Sequence, residues 1–183
     1  MTLKKKLLIS KYFDEVSGIL FPIGMMLEED FINTENLNII KLLNANFLSI
    51  TLIINSFAPY LLEKEGQITG FGSVSGYLGR DLNPYYSASK RALESYFESL
   101  YFFYKNFNIK MQFYILGYID TNLSFGKKIK LPLGSINELS ELVYKNKEKK
   151  FKIYFFPKWW ILIVFILKIL PIKILILFHK IFR

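Results

Sequence analysis

The sequence predicts an α/β domain built on a parallel sheet, and two observations carry that expectation. Short apolar runs that stop at glycine, "SGILFPIG" (17–24), "GQITGFGS" (66–73) and "IKMQFYILG" (109–117), have the length and bounds of buried strands. Between them lie longer stretches, 36–62 and 84–105, whose apolar residues recur at helical spacing. Strands alternating with helices imply parallel pairing with crossover connections.

In chain order, residues 17–24 read as a first buried strand. Residues 36–62, "NLNIIKLLNANFLSITLIINSFAPYLL", read as a helix largely covered by other elements. The second strand runs into a Gly/Ser loop at Ser73. The helix over 84–105 starts at Pro84, and Ala88, Ala92, Leu93, Tyr96, Leu100 and Phe103 recur on one side. A third strand stops at Gly117 and a polar loop runs to Pro132. A helix near 135–146 and a strand at "FKIYFF" (151–156) complete the body. There is no internal repeat and no linker that would split it.

The 183 residues fit one domain with a real core. Without cysteine there is no disulfide framework and no thiolate metal site, which suits a reducing compartment. The single histidine, His179, argues against histidine triads and multi-histidine metal sites. The start, "MTLKKKLLIS", has an apolar run too short for a signal peptide. From Lys127 onward, 13 Lys and Arg face 3 acidic residues, whereas the first 126 residues carry 11 against 12. A neutral body with a basic, apolar tail points to a membrane surface, and no nucleic-acid-binding module is present.

The chemistry is concentrated in "GSVSGYLGRDLNPYYSASK" (72–90). Tyr86 and Lys90 are four residues apart on one helix, so they share a face. A phenol is a weak base at neutral pH, and a nearby cation lowers its pKa. That makes it a usable general acid/base toward an alcohol or ketone. Ser73, thirteen residues before Tyr86, could hold the same substrate oxygen. Ser75 lies eleven residues away and fits less well; Tyr85 has Ser89, not a cation, at its fourth following position.

Ser73, Tyr86 and Lys90, in the pattern S-x12-Y-x3-K, resemble the active site of the short-chain dehydrogenases/reductases. The resemblance implies that Tyr86 is the acid/base and that Ser73 orients the substrate oxygen. It also implies that Lys90 lowers the tyrosine pKa and holds the nicotinamide ribose of NAD or NADP. "NANFLSITLIINSFAPYL" is similar to the family helix whose asparagine supports a water relay to the lysine. Asn46 takes that place over Asn44, because it lies thirteen residues before Pro59. "ILGYIDTNL" is similar to the family's "PG-x-x-x-T" segment, with Leu116 in place of proline and with Gly117 and Thr121 at the nicotinamide end of the cofactor. "GILFPIG" stands where the family has its "N-N-A-G" strand end, Gly24 being kept.

The family's T-G-x3-G-x-G turn, which takes the pyrophosphate at a helix N-terminus, has no counterpart: no glycine precedes Gly18. Residues 3–15 resemble the helix that precedes the family's fourth strand. The resemblance therefore covers residues 10–155 and implies the second half of a Rossmann-type, doubly wound parallel sheet. It also implies a first strand without its usual neighbour, and the C-terminal portion of a split, frameshifted or mis-started gene. The 183-residue chain alone is then expected not to bind a dinucleotide.

Two regions follow: a Rossmann-like body, 1–156, and a hydrophobic, basic tail, 157–183. The tail's longest uncharged run, Trp159–Leu167, is nine residues, too short for a clean span. Trp159, Trp160 and the spaced lysines suit a helix pair lying in the headgroup region, at the cytoplasmic face of a membrane; a dimerisation or core helix is the alternative. A similar tail occurs in family members that act on lipid-linked sugars and in membrane-associated hydroxysteroid-type members. The expected function is hydride transfer between NAD(P) and an alcohol or ketone, on a small-molecule or lipid-linked substrate. The alternative is a non-enzymatic remnant or binding protein of the same fold; a homo-oligomer remains open.

Overall fold

The computed structural model describes residues 15–31, 33–121 and 131–181. Four strands form one parallel sheet in the order β1 (Gly18–Phe21), β2 (Gln67–Ser73), β3 (Lys110–Leu116) and β4 (Lys152–Phe156). The helices are α1 (Asn36–Leu43), α2 (Ser49–Glu63), α3 (Pro84–Tyr104), α4 (Ile136–Asn146), α5 (Trp160–Ile169) and α6 (Ile172–Ile181). The alternation read from the sequence is therefore present, and each expected element lies within a few residues of its predicted bounds. The helix expected over residues 3–15 and most of the loop 118–132 lie outside the described residues.

Each face of the sheet has its own character, because side chains alternate along a strand. Ile68, Met111, Phe113 and Ile115 pack with Ile50, Ile54 and Leu61 of α2 and Leu93 and Phe97 of α3 in the main core. Gly70 admits α3 closely: a Cβ there would lie 2.4 Å from the ring of Phe97. On the opposite face Phe71, Tyr114 and Tyr154 are in register on three adjacent strands and stack, with centroids 5.6 and 5.0 Å apart. Beside them Gln112, fully buried, accepts from Gln67 and donates to the carbonyl of Lys149, just beyond α4.

Three expectations are corrected. The first strand is not buried: β1 is the sheet edge, and Leu20 is half exposed. The long helix is not largely covered either. α1 and α2 are joined by a π-helical turn, Asn44–Leu48, and Leu37, Ile40, Leu48 and Leu52 face outward. By length and composition this run could cross a membrane. Leu42, Ile50, Ile54 and Leu61 of the same run are buried in the body. Finally, the buried stripe of α3 is Tyr86, Lys90, Leu93 and Phe97, whereas Ala88 and Phe103 are exposed. The face chosen by apolar periodicity was rotated from the true one because the buried stripe includes two polar residues.

Candidate active site

The candidate residues gather beyond the C-terminal ends of the parallel strands, where open α/β sheets place ligands. Gly24 follows β1, Ser73 ends β2, Gly117 follows β3 and Trp160 follows β4. Tyr86 and Lys90 reach the same region from the first two turns of α3. A cavity of about 1050 Å³ opens there, lined by Gly24, Ser73, Tyr86, Lys90, Gly117 and Thr121 among others.

Tyr86 is buried, and Ser73 acts on its phenol by favouring the phenolate. The Ser73 oxygen accepts from the N–H of Ser75 (3.2 Å) and from its hydroxyl (2.9 Å), so a short helical turn at 74–77 fixes it. Ser75 thus serves Ser73 and is not its substitute. Lys90 is buried too, with Nζ 5.9 Å from the centre of the Tyr86 ring. It donates to the carbonyls of Phe71 (3.2 Å) and Ile23 (3.4 Å), which tie α3 to the ends of β2 and β1. Gly24 allows this approach, because a Cβ there would meet Nζ at 3.3 Å.

Asn46 sits in the π-helical turn and is fully buried. Its side-chain amide pairs with the backbone of Met25, accepting from N–H (2.7 Å) and donating to C=O (2.8 Å). It also donates to Ser89 Oγ at 3.0 Å, and that hydroxyl donates to the carbonyl of Tyr86 at 2.7 Å. The widened turn turns Asn46 toward the site, a common use of such bulges. Asn46 therefore holds the segment after β1 against α3; its tie to Tyr86 runs through Ser89.

Burial pushes the Tyr86 phenol above its ordinary value, and the influences that lower it are the Ser73 hydrogen bond and then Arg80. Burial also lowers Lys90 to about 8, because an ammonium with two carbonyl partners in an apolar setting is partly starved of solvation.

Sequence reasoning missed Asp30, Asn83 and the role of Trp160. Asp30 and Asn83 are buried polar residues that hold the start of α3, and their partners lie some 55 residues away in sequence, beyond any local pattern. Trp160 was expected at a lipid headgroup region. It is buried against Gly117 and Tyr118 and lines the cavity. Among the described residues no cluster of His, Cys, Asp or Glu could hold a metal ion.

A parallel α/β sheet with a serine, a tyrosine and a lysine converging beyond its strand ends is the arrangement that the family resemblance implies. The chain belongs to the short chain dehydrogenase family, whose sequence model matches residues 8–130. It is similar to hydroxysteroid 11-beta-dehydrogenase 1-like protein A of Xenopus laevis, 33% identical over 121 residues, or 63% of this chain and 42% of that protein. Dehydrogenase/reductase SDR family member 7B of Mus musculus is 32% identical over 85 residues, covering 46% of this chain and 26% of that protein. The chain thus spans less than half the length of these relatives. Among solved structures, a 4-hydroxyisoleucine dehydrogenase complexed with NADH matches at TM-score 0.68 and 15% identity, over 83% of this chain and 74% of that one. A short-chain dehydrogenase from Sphingobium yanoikuyae in complex with NADPH matches at 0.68 and 19%, over 83% and 63%. At these identities the structural matches establish the fold.

Proposed function

We propose that the protein is an NAD(P)-dependent oxidoreductase that interconverts an alcohol and a ketone. The observation that carries this reading is the convergence of Ser73, Tyr86 and the buried Lys90 on the wall of one cavity, with Lys90 Nζ 5.9 Å from the centre of the Tyr86 ring. Tyr86 gives or takes the proton of the substrate oxygen, and Ser73 holds that oxygen. NAD(P) supplies or accepts the hydride. Lys90, Gly24 and the Gly117–Thr121 segment are the residues that would hold its nicotinamide end; the close approach at Gly24 and the Nζ donors suit a ribose. The relatives' names and the nucleotides in the matched structures support this assignment.

The cavity wall favours an apolar substrate: Leu78, Leu116, Ile119, Leu139, Val143 and Leu167 line it. A lipid-linked or steroid-like ketone suits that lining better than a small polar one. The tail supports placement at a membrane surface. One side of α5 (Trp160, Ile163, Val164, Leu167) meets the body or the cavity, while Ile161, Leu162, Phe165, Ile166 and Ile169 are exposed. In this reading 1–156 is the catalytic body and 157–183 the membrane-seeking tail. The test is oxidation of NADH and NADPH by a panel of apolar ketones, with Tyr86→Phe as control. Turnover by the wild type and not by the variant is expected; equal rates would overturn the assignment.

A second reading is a protein that keeps the fold without turnover. Turnover of NADH or NADPH with the ketone panel separates the two: a measurable rate that Tyr86→Phe abolishes would defeat the second reading.

A further inference from the structure

Asp30 belongs to no motif, yet it is fully buried. Its two carboxylate oxygens accept from the backbone N–H groups of Tyr85 (2.8 Å) and Tyr86 (3.1 Å). Its own N–H donates to the carbonyl of Leu82 at 2.7 Å. These amides belong to the first turn of α3, where helix geometry leaves N–H groups without internal partners. The residue in the capping position, Asn83, makes no capping bond. Its side chain donates instead to the carbonyls of Leu27 (3.0 Å) and Glu28 (3.3 Å). A carboxylate from the segment after β1 therefore caps α3 from outside the helix, and Asn83 returns the contact to that same segment.

The placement matters because one of the two capped amides is that of Tyr86 itself. A negative charge at a helix N-terminus is also favoured by the helix dipole. Burial pushes the Asp30 carboxyl above its ordinary value, opposed first by the bonds from Tyr85 and Tyr86 and then by the charge of Arg80. The first turn of α3 is thus held from two sides. Asp30 holds its amides, and Ser89, itself held by Asn46, holds the carbonyl of Tyr86.

We propose that Asp30 is a positioning residue for Tyr86, fixing the phenol against Ser73 by holding the backbone N–H groups of residues 85 and 86. The proposal rests on the reading of Tyr86 as the acid/base, and it assigns Asp30 no contact with substrate or cofactor. Carboxylate capping is what acts here, so a side chain of the same size with one acceptor should keep part of the effect and alanine should keep little.

The experiment compares wild type, Asp30→Asn and Asp30→Ala in the full 183-residue chain by three measurements. Amide exchange at Tyr85 and Tyr86 should quicken about tenfold or more in the alanine variant, a rate change of the size that losing one cap produces. Exchange along β2 and β3 should stay as it was. The ring Cζ resonance of Tyr86, in protein labelled with ¹³C at tyrosine and assigned by its loss in Tyr86→Phe, should move in the alanine variant and less in the asparagine variant. Ketone reduction with NADPH should lose roughly tenfold or more in kcat with KM little changed, as expected of a displaced acid/base. An even loss of protection through the sheet would reduce Asp30 to a general structural role and overturn the proposal. So would an unmoved Tyr86 resonance, or a normal kcat alongside lost protection. A wild type without turnover would refute the catalytic reading, and the exchange and resonance measurements would then decide the positioning role by themselves.

Discussion

The indole of Trp160 lies directly on the bare Cα of Gly117. A Cβ built on that glycine would stand 1.8 Å from Nε1 and 2.2 Å from Cδ1, so no other residue fits without displacing the ring. Trp160 opens α5, so this contact seats the tail helix on the segment expected to meet the nicotinamide. Lys168, near the other end of α5, lies 4.6 Å over the ring of Tyr77 and fixes that helix a second time. Gly117→Ala should therefore unseat α5 and cost about 1–3 kcal/mol, the usual range for overpacking. A lower urea midpoint together with a red-shifted tryptophan emission is expected. An unchanged emission maximum would mean that the ring does not sit there in solution.

The Tyr86 phenol is the predicted acid/base. Tyr86→Phe keeps the ring and removes the proton, so turnover should fall by about 10²-fold or more while the melting temperature holds. Ser73→Ala should act on the same group differently: with the hydrogen bond that favours the phenolate gone, the Tyr86 pKa should rise further. The pH dependence of kcat reads this directly. A profile that Ser73→Ala leaves in place would separate Ser73 from Tyr86.

Lys90 should titrate near 8, well below the ordinary 10.5, because burial disfavours its charge. The sign for stability follows from which state loses the proton first. Below about 8 both states are protonated and the folded state bears the whole cost of the buried charge. Between about 8 and 10.5 the unfolded chain still binds the proton and the folded chain does not, so stability contributed by this group rises with pH. Urea midpoints of wild type and Lys90→Met, compared across that window, should diverge in favour of the wild type as pH increases. Parallel curves would show that Lys90 keeps its proton.

The outward side of α5 predicts membrane binding. Ile161, Leu162, Phe165, Ile166 and Ile169 form an exposed apolar face, and the tail is basic. The chain should sediment with vesicles containing anionic lipid, more weakly at high salt, and truncation after Lys158 should abolish this. A full-length chain that stays in the supernatant at low salt would rule it out.

The edge position of β1 carries a further expectation. Its outer side pairs with no strand among the described residues, and Leu20 and Ile23 are exposed there. Unpaired strand edges template association. The purified polypeptide should self-associate with rising concentration, measured by sedimentation velocity, and Leu20→Lys should reduce that. A monomer at every concentration would show the edge to be protected.

What the sequence by itself determined is the order and type of the elements, and Ser73, Tyr86 and Lys90 as candidates, to which the family resemblance added Asn46, Gly24, Gly117 and Thr121. Those signals are local. Strand length, helical period and the S-x12-Y-x3-K spacing are all written within a few turns of chain, and a parallel sheet carries strand ends to one side automatically. The tertiary structure decided what depends on distant neighbours. The face of α3 that is buried follows from Leu93 and Phe97 meeting the sheet, with Lys90 drawn in by two carbonyls. The cap of α3 comes from Asp30, 55 residues before Tyr85, where no helical pattern points. Trp160 reads as a headgroup residue in isolation, and only the missing side chain of Gly117 turns it inward. The net pKa of Tyr86 likewise follows from burial, a property of the folded whole.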